Sequence, residues 1–264
     1  MTNRFTDEQL SELLGLIEGS DSVELKLTLP DSDIRSAVHA LGIDPLDAEI
    51  RQVVFFDTPD LALNRSGVVV RARRIQGGRA DTVVKLRPIV PEQLSSELRA
   101  SPNLSIEVDA MPGGFVCSAS MKGRATSNEV RQVILGRGGA KRLFTKEQRS
   151  FYRAHAPEDM RLGDLMVLGP VFILKLRFAP ERLGRKMVAE LWLYPDGSRI
   201  VELSTKCLPG EAFQVAAETR VYLADRGIDL SSAQQTKTKA ALEYFAALAP
   251  PSTLRGSEQL HGSD

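Results

Sequence analysis

The stretch VVVRARRIQGGRADTVVKLR, residues 68–87, reads as two β-strands joined at Gly77-Gly78. Its charges fall where a buried strand ordinarily carries aliphatics: Arg71 and Arg73 flank Ala72, and Lys85 and Arg87 flank Leu86. Residues i and i+2 of a strand point to one side, so each basic pair projects from one face and the apolar residue between them from the other. The same spacing recurs at Glu24-Leu25-Lys26 and at Lys175-Leu176-Arg177, while Glu107, Glu190 and Glu202 add isolated carboxylates. Strands of this kind curled about a common interior form a polyanion site that can also hold a metal ion.

Composition narrows the class. A chain of 264 residues, 42% hydrophobic, is long enough for one large barrel or two small domains. The 34 basic and 34 acidic side chains cancel, so the global positive charge that marks a nucleic-acid surface is missing. Cys117 and Cys207 cannot supply a four-ligand zinc site, and three histidines exclude a histidine-rich one. No apolar run reaches the roughly 18 residues needed to span a bilayer, and the first residues carry no signal-peptide core. A reducing cytoplasm is the expected compartment.

Further elements follow from local pattern. Residues 7–18 space leucines on one helical face, and Gly19-Ser20 interrupts them before a strand at 22–29. A helix is expected from Pro30 to about Leu41 and strands at 50–56 and 104–109. Asp57-Thr58-Pro59-Asp60 is a turn in which Asp57 accepts local backbone donors and is structural. Residues 112–139 are rich in glycine and small polar side chains and show no period. A helix is expected at 146–152, then strands at 171–178, 186–194 and 199–206, the last two joined at Pro195-Asp196-Gly197-Ser198. Helices at 211–226 and 233–248 follow, the second placing Ala241, Leu242, Phe245 and Leu248 on one side. The reading is one domain over 20–248, an accessory helix in 1–19, a segment of unassigned role at 112–165 and a disordered tail at 250–264. Neither a dinucleotide fingerprint nor a glycine-rich phosphate loop is present, so phosphate recognition falls to side chains.

On these residues the chain resembles the CYTH superfamily of triphosphate tunnel metalloenzymes. The matching pieces are Ser22-x-Glu24-x-Lys26, the Phe55-Phe56-Asp57-Thr58-Pro59-Asp60-Leu61-x-Leu63 segment, Gly67 with Arg71-x-Arg73, and Thr82–Arg87. Later pieces are Lys175-x-Arg177, Glu190, Glu202 and Thr236-Lys237-Thr238-Lys239. The resemblance implies an α+β fold, an antiparallel eight-stranded barrel forming an open tunnel with flanking helices. It also implies Mg²⁺ or Mn²⁺ held by carboxylates and triphosphate bound by basic residues. The family's first strand usually carries two glutamates and its late strand Glu-x-Glu, whereas this chain has Ser22 and Ser204 in those places. Serine is a poor substitute for a carboxylate facing a hard dication.

The triphosphate-binding candidates are therefore Lys26, Arg71, Arg73, Lys85, Arg87, Lys175, Arg177 and Lys206, since fixed cations offset the cost of desolvating a polyanion. Glu24, Glu190 and Glu202 are the metal candidates, with Glu107 and Asp109 as an added acidic i, i+2 pair, and Glu24, Lys26 and Glu202 are the catalytic candidates. Arg87, just before Pro88, could also face outward. The leading expectation is metal-dependent hydrolysis of inorganic triphosphate, thiamine triphosphate or a nucleoside triphosphate. A non-catalytic nucleotide or polyphosphate binder with a depleted metal site, and an adenylate cyclase, stay open beside it. The expected partner is a small-molecule triphosphate, not a nucleic-acid duplex or a membrane, and a homodimer is left open.

Overall fold

In the computed structural model, residues 6–230, 234 and 236–248 are described, and nine strands close into one barrel. They are β1 (Ser22–Leu29), β2 (Glu49–Asp57), β3 (Val68–Ile75), β4 (Arg79–Leu86), β5 (Leu104–Met111), β6 (Gly114–Thr126), β7 (Met166–Phe178), β8 (Met187–Leu193) and β9 (Arg199–Cys207). Around the barrel they run β1-β5-β6-β4-β3-β2-β7-β8-β9. The expectation of eight antiparallel strands needs two corrections. The extra strand is β6, hidden in the stretch that shows no period, and the β1–β5 ladder is parallel. That ladder covers only Ser22–Leu25, whereas β1 stays paired with β9 from Val23 to Leu29.

β6 escaped a period-based reading because Cys117-Ser118-Ala119-Ser120 alternates nothing larger than a cysteine. Buried all the same, it carries Gln148 on its back. That side chain donates to Thr82 O and Met121 O (3.1 and 3.0 Å) and accepts from the Thr82 hydroxyl at 2.9 Å. A Cβ at Gly123 would lie 2.3 Å from Gln148 Oε1, so any other residue there would displace this amide from its bonds; Gln148 belongs to the helix Lys146–His155. The rest of the 112–165 segment holds a second helix, Ser127–Ile134, opened by a capping box between Thr126 and Glu129.

The hydrophobic core lies outside the barrel, between the strands and their helices. Val68, Val70 and Ala72 of β3 join Val84, Leu86, Met121, Val130 and Phe151 in one cluster. Leu27, Leu29, Met187 and Leu203 pack with Ile34 and Leu41 of the helix Ile34–Leu41 and with Tyr222 and Leu223 of the helix Ala212–Ala224. Alternation then turns the charged positions inward. A third cluster is lumenal: Val53, Phe55, Ile173 and Trp192 meet Ala241, Leu242 and Phe245 of the helix Lys237–Ala247, which plugs the barrel. Leu248, expected on that face, is 63% exposed. The sequence-based start of this helix at 233 and the tail at 250–264 fall outside the described residues. Among the described residues, no helix is long and apolar enough to cross a membrane.

Candidate functional site

Inward side chains of eight of the nine strands, joined by Lys237, form three ionic clusters. In the first, Lys26 Nζ lies 2.7 Å from Asp109 Oδ1 and 3.1 Å from Glu24 Oε2. Arg87 and Lys85 reach the other oxygen, Asp109 Oδ2, at 3.4 and 3.8 Å. Arg87 therefore serves the interior rather than the outer face. Lys206, exposed at the end of β9, pairs with Glu107. The parallel β1–β5 ladder creates this arrangement by setting Glu24 directly opposite Asp109.

The second cluster surrounds the C-terminal plug. Glu190 and Glu202 are register partners on β8 and β9, and Lys237 spans both, pairing with Glu190 and lying 2.6 Å from Glu202. Lys175 adds a 2.8 Å contact to Glu190. A lysine at a helix start is usually solvated, but this one enters the lumen because the apolar face of its helix is seated on Trp192 and Phe55. In the third cluster, Arg73 grips Asp81 with two bonds of 2.8 and 2.6 Å, and Arg51 holds Glu49 at 2.6 Å. Arg71 stands apart: among the described residues it makes no ion pair, and its Nε is buried without a hydrogen-bond partner.

Proton affinities follow these surroundings. Burial works against the charge on Lys26, yet Asp109, Glu24 and Glu202 together hold it above the ordinary lysine range. Burial also opposes the charge on Asp109, and Lys26, Lys85 and Arg87 overcome it, keeping that carboxyl well below its usual range. Glu190 is likewise held low by Lys237 and Lys175 against its burial. Lys85 goes the other way: burial pushes it down to about 8, only partly countered by Asp109. Arg71 is pushed down to about 10 by burial and by Arg73. Lys85, 3.8 Å from Asp109, and Arg71, which makes no ion pair among the described residues, are thus buried cations whose charge is only partly offset.

Among the described residues, the carboxylates that converge are Glu24, Glu107 and Asp109, whose oxygens lie within 4.8 Å of one another. Three hard oxygen donors suit Mg²⁺ or Mn²⁺. Asp109 Oδ2 is buried with no hydrogen-bond partner, although Arg87 and Lys85 face it at 3.4 and 3.8 Å, and so retains lone pairs for such an ion. Glu107 and Asp109, named as an added pair, thus complete a set with Glu24, while Glu190 and Glu202 sit around Lys237 instead. Arg177 is exposed at the end of β7, on the same strand face as Lys175. Sequence reasoning passed over Arg51 and Asp81; Glu49-x-Arg51 carries the same i, i+2 charge signature and could have revealed the first. Asp57 is structural as expected, its carboxylate accepting from the backbone N–H groups of Thr58, Leu63 and Asn64.

No protein-family model matches the chain, and no curated protein matches it by sequence. Solved structures do. A candidate adenylyl cyclase of Hippeastrum, HpAC1, described as having a dominant triphosphatase activity, is similar over 84% of this chain and 95% of its own, at 16% identity and a TM-score of 0.62. A candidate adenylate cyclase of Bacillus halodurans is similar over 83% of this chain and 97% of its own, at 12% identity and a TM-score of 0.57. With its closed barrel and ionic lumen, the chain shares the fold of these two structures, a barrel of the kind that the resemblance to the CYTH superfamily implies.

Proposed function

We propose that the tunnel binds a small triphosphate-bearing molecule, a nucleotide or a polyphosphate, together with one divalent cation. The observation that carries this reading is the pairing of under-neutralised cations with a carboxylate trio in one lumen: Arg71 and Lys85 on one side, Glu24, Glu107 and Asp109 on the other. A triphosphate brings about four negative charges, and buried guanidinium and ammonium groups offset its desolvation far better than surface ones. Arg71 offers a free Nε to a phosphate oxygen, and Lys85 regains full charge when an anion arrives. Arg73 and Lys175 are oriented in advance by Asp81 and Glu190. The cation, when bound, would polarise a phosphoryl group and neutralise charge on it. Lys26, fixed between Glu24 and Asp109, holds its proton and lies beside the same phosphates.

Turnover is the second reading. Hydrolysis is favoured by the trio, which restores carboxylates that Ser22 and Ser204 do not supply, and by the triphosphatase activity stated for the Hippeastrum protein. Cyclisation of ATP is suggested by the names of both neighbours. One panel separates the readings: tripolyphosphate, thiamine triphosphate, ATP and GTP with Mg²⁺ or Mn²⁺, scored for phosphate, pyrophosphate and cyclic AMP. Saturable binding without product assigns a binder, phosphate release a hydrolase, and pyrophosphate with cyclic AMP a cyclase. Absence of binding across the panel contradicts the proposal.

A further inference from the structure

The helix Lys237–Ala247 fills the end of the lumen where Val69 of β3, Ile173 of β7 and Ile200 of β9 lie. Farther along, toward the opposite rim, lumenal positions are basic: Lys122 and Arg124 of β6, Arg177 of β7 and Lys206 of β9. The ladders put the β6 pair inside. Lys122 is opposite Val83, which is opposite Arg71, and Arg124 is opposite Asp81, which is opposite Arg73. Directly opposed residues share a sheet face. All four basic residues are exposed. The acids near this rim are engaged: Glu49 by Arg51 and Arg79, Asp81 by Arg73, and Glu107 by Lys206. Among the described residues, Lys122, Arg124 and Arg177 make no ion pair. Lys122 stands in a row of like charges: partial burial in the lumen, then Lys206 and Arg71, push it below the ordinary lysine range, with Glu107 and Asp21 opposing.

We propose that this rim is a subsite for phosphate units beyond the third, so that the tunnel takes a linear condensed phosphate of four or more units, with Lys122 and Arg124 setting the length preference. The inference rests on the triphosphate reading above and deepens it. Arg71, Lys85, Arg73 and Lys175 already meet a triphosphate deeper in the lumen, which leaves the rim cations in excess of it. With the other end plugged, a longer chain leaves through this rim, past fixed positive charge. The register partners of the four rim cations are Val83, Asp81, Val188 and Glu24, none of them an aromatic ring on which a base could stack. Bare phosphate units fit that lining better than a nucleic-acid chain does.

Calorimetric titration of tripolyphosphate and of linear hexapolyphosphate, at equal free Mg²⁺ and about 0.15 M salt, tests the assignment. At that salt, charges more than about 8 Å apart are largely screened, so the readout reports local contacts. Hexapolyphosphate is expected to bind about tenfold or more tightly than tripolyphosphate, above the about fourfold that its alternative three-unit registers supply. Lys122→Gln combined with Arg124→Gln, both exposed positions, should remove that excess while tripolyphosphate affinity stays within about twofold. A preference below about tenfold, a preference unchanged in the double variant, or a loss shared by both probes overturns the rim assignment and leaves the tunnel reading intact. Tighter binding of a 5′-triphosphorylated oligonucleotide than of hexapolyphosphate overturns it in favour of nucleic acid. Failure of both phosphate probes to bind overturns the tunnel reading and this inference with it.

Discussion

Lys26 and Asp109 meet at 2.7 Å although 83 residues separate them, because a short parallel ladder lays β1 along β5. Their contact ties the first strand's charge pattern to the middle third of the chain. It also places a fully buried carboxylate within reach of three cations, Lys26, Lys85 and Arg87.

Removing that carboxylate leaves Lys85 and Arg87 without an ion-pair partner among the described residues and Lys26 with Glu24 alone. Asp109→Asn is expected to destabilise the metal-free protein by about 3–5 kcal/mol, the range for breaking a buried pair. Thermal unfolding with and without tripolyphosphate checks this. The polyanion should recover part of the loss, since a ligand that binds only the folded state stabilises it.

Arg71 should behave in the opposite way. Its charge is buried and its Nε unpartnered, so Arg71→Met relieves a cost in the free protein. The expected result is unchanged or raised thermal stability together with a loss of tripolyphosphate affinity of about tenfold or more. Paired melting and titration curves on one preparation would show the split.

Lys85 predicts a pH dependence. With its proton affinity lowered to about 8, the free protein loses this charge as pH rises through that value. A bound polyanion favours the charged form, so affinity is highest below pH 8 and declines above it, with net proton uptake on binding near pH 8.5. Stability of the free protein has the complementary sign: from about pH 8 to the ordinary lysine range the unfolded chain holds more protons, so this group's contribution rises with pH. Titrations in buffers of different ionisation enthalpy measure the uptake, and Lys85→Arg should abolish it.

Lys237 is the counterion of Glu190 and Glu202, and Lys237→Met leaves two neighbouring carboxylates to repel. A loss of about 3–5 kcal/mol is expected. Adding Glu190→Gln to the same chain should restore part of it, a coupling that a double-mutant cycle reads directly. Additive losses would show that Lys237 and Glu190 are not coupled.

Much of the barrel was legible because period-2 charge is so unusual in a buried strand. The pairs at 24–26, 71–73, 85–87 and 175–177 mark lumenal faces, and Val68, Val70 and Ala72 between or beside them mark the face under the helices. Two features resisted. β6 carries no alternation of size, and its place is set by its ladders to β4 and β5, with Gln148 of a distant helix bound to its back, which no local window sees. The grouping of carboxylates depends on register. Glu24 faces Asp109 because β1 and β5 run parallel, a pairing that local hydrophobic pattern does not specify, whereas Glu190 faces Glu202 across an ordinary antiparallel hairpin. Lys237 was visible as a residue, but its burial is a consequence of where Leu242 and Phe245 seat the helix.

The most direct test is a calorimetric titration of tripolyphosphate into the intact protein, with Mg²⁺ and again after chelation. One site per chain is expected, tighter with the metal, weakened by Arg71→Met and made metal-insensitive by Glu24→Gln combined with Asp109→Asn. No saturable heat under either condition, or an affinity indifferent to both Arg71 and the metal, would contradict a triphosphate tunnel.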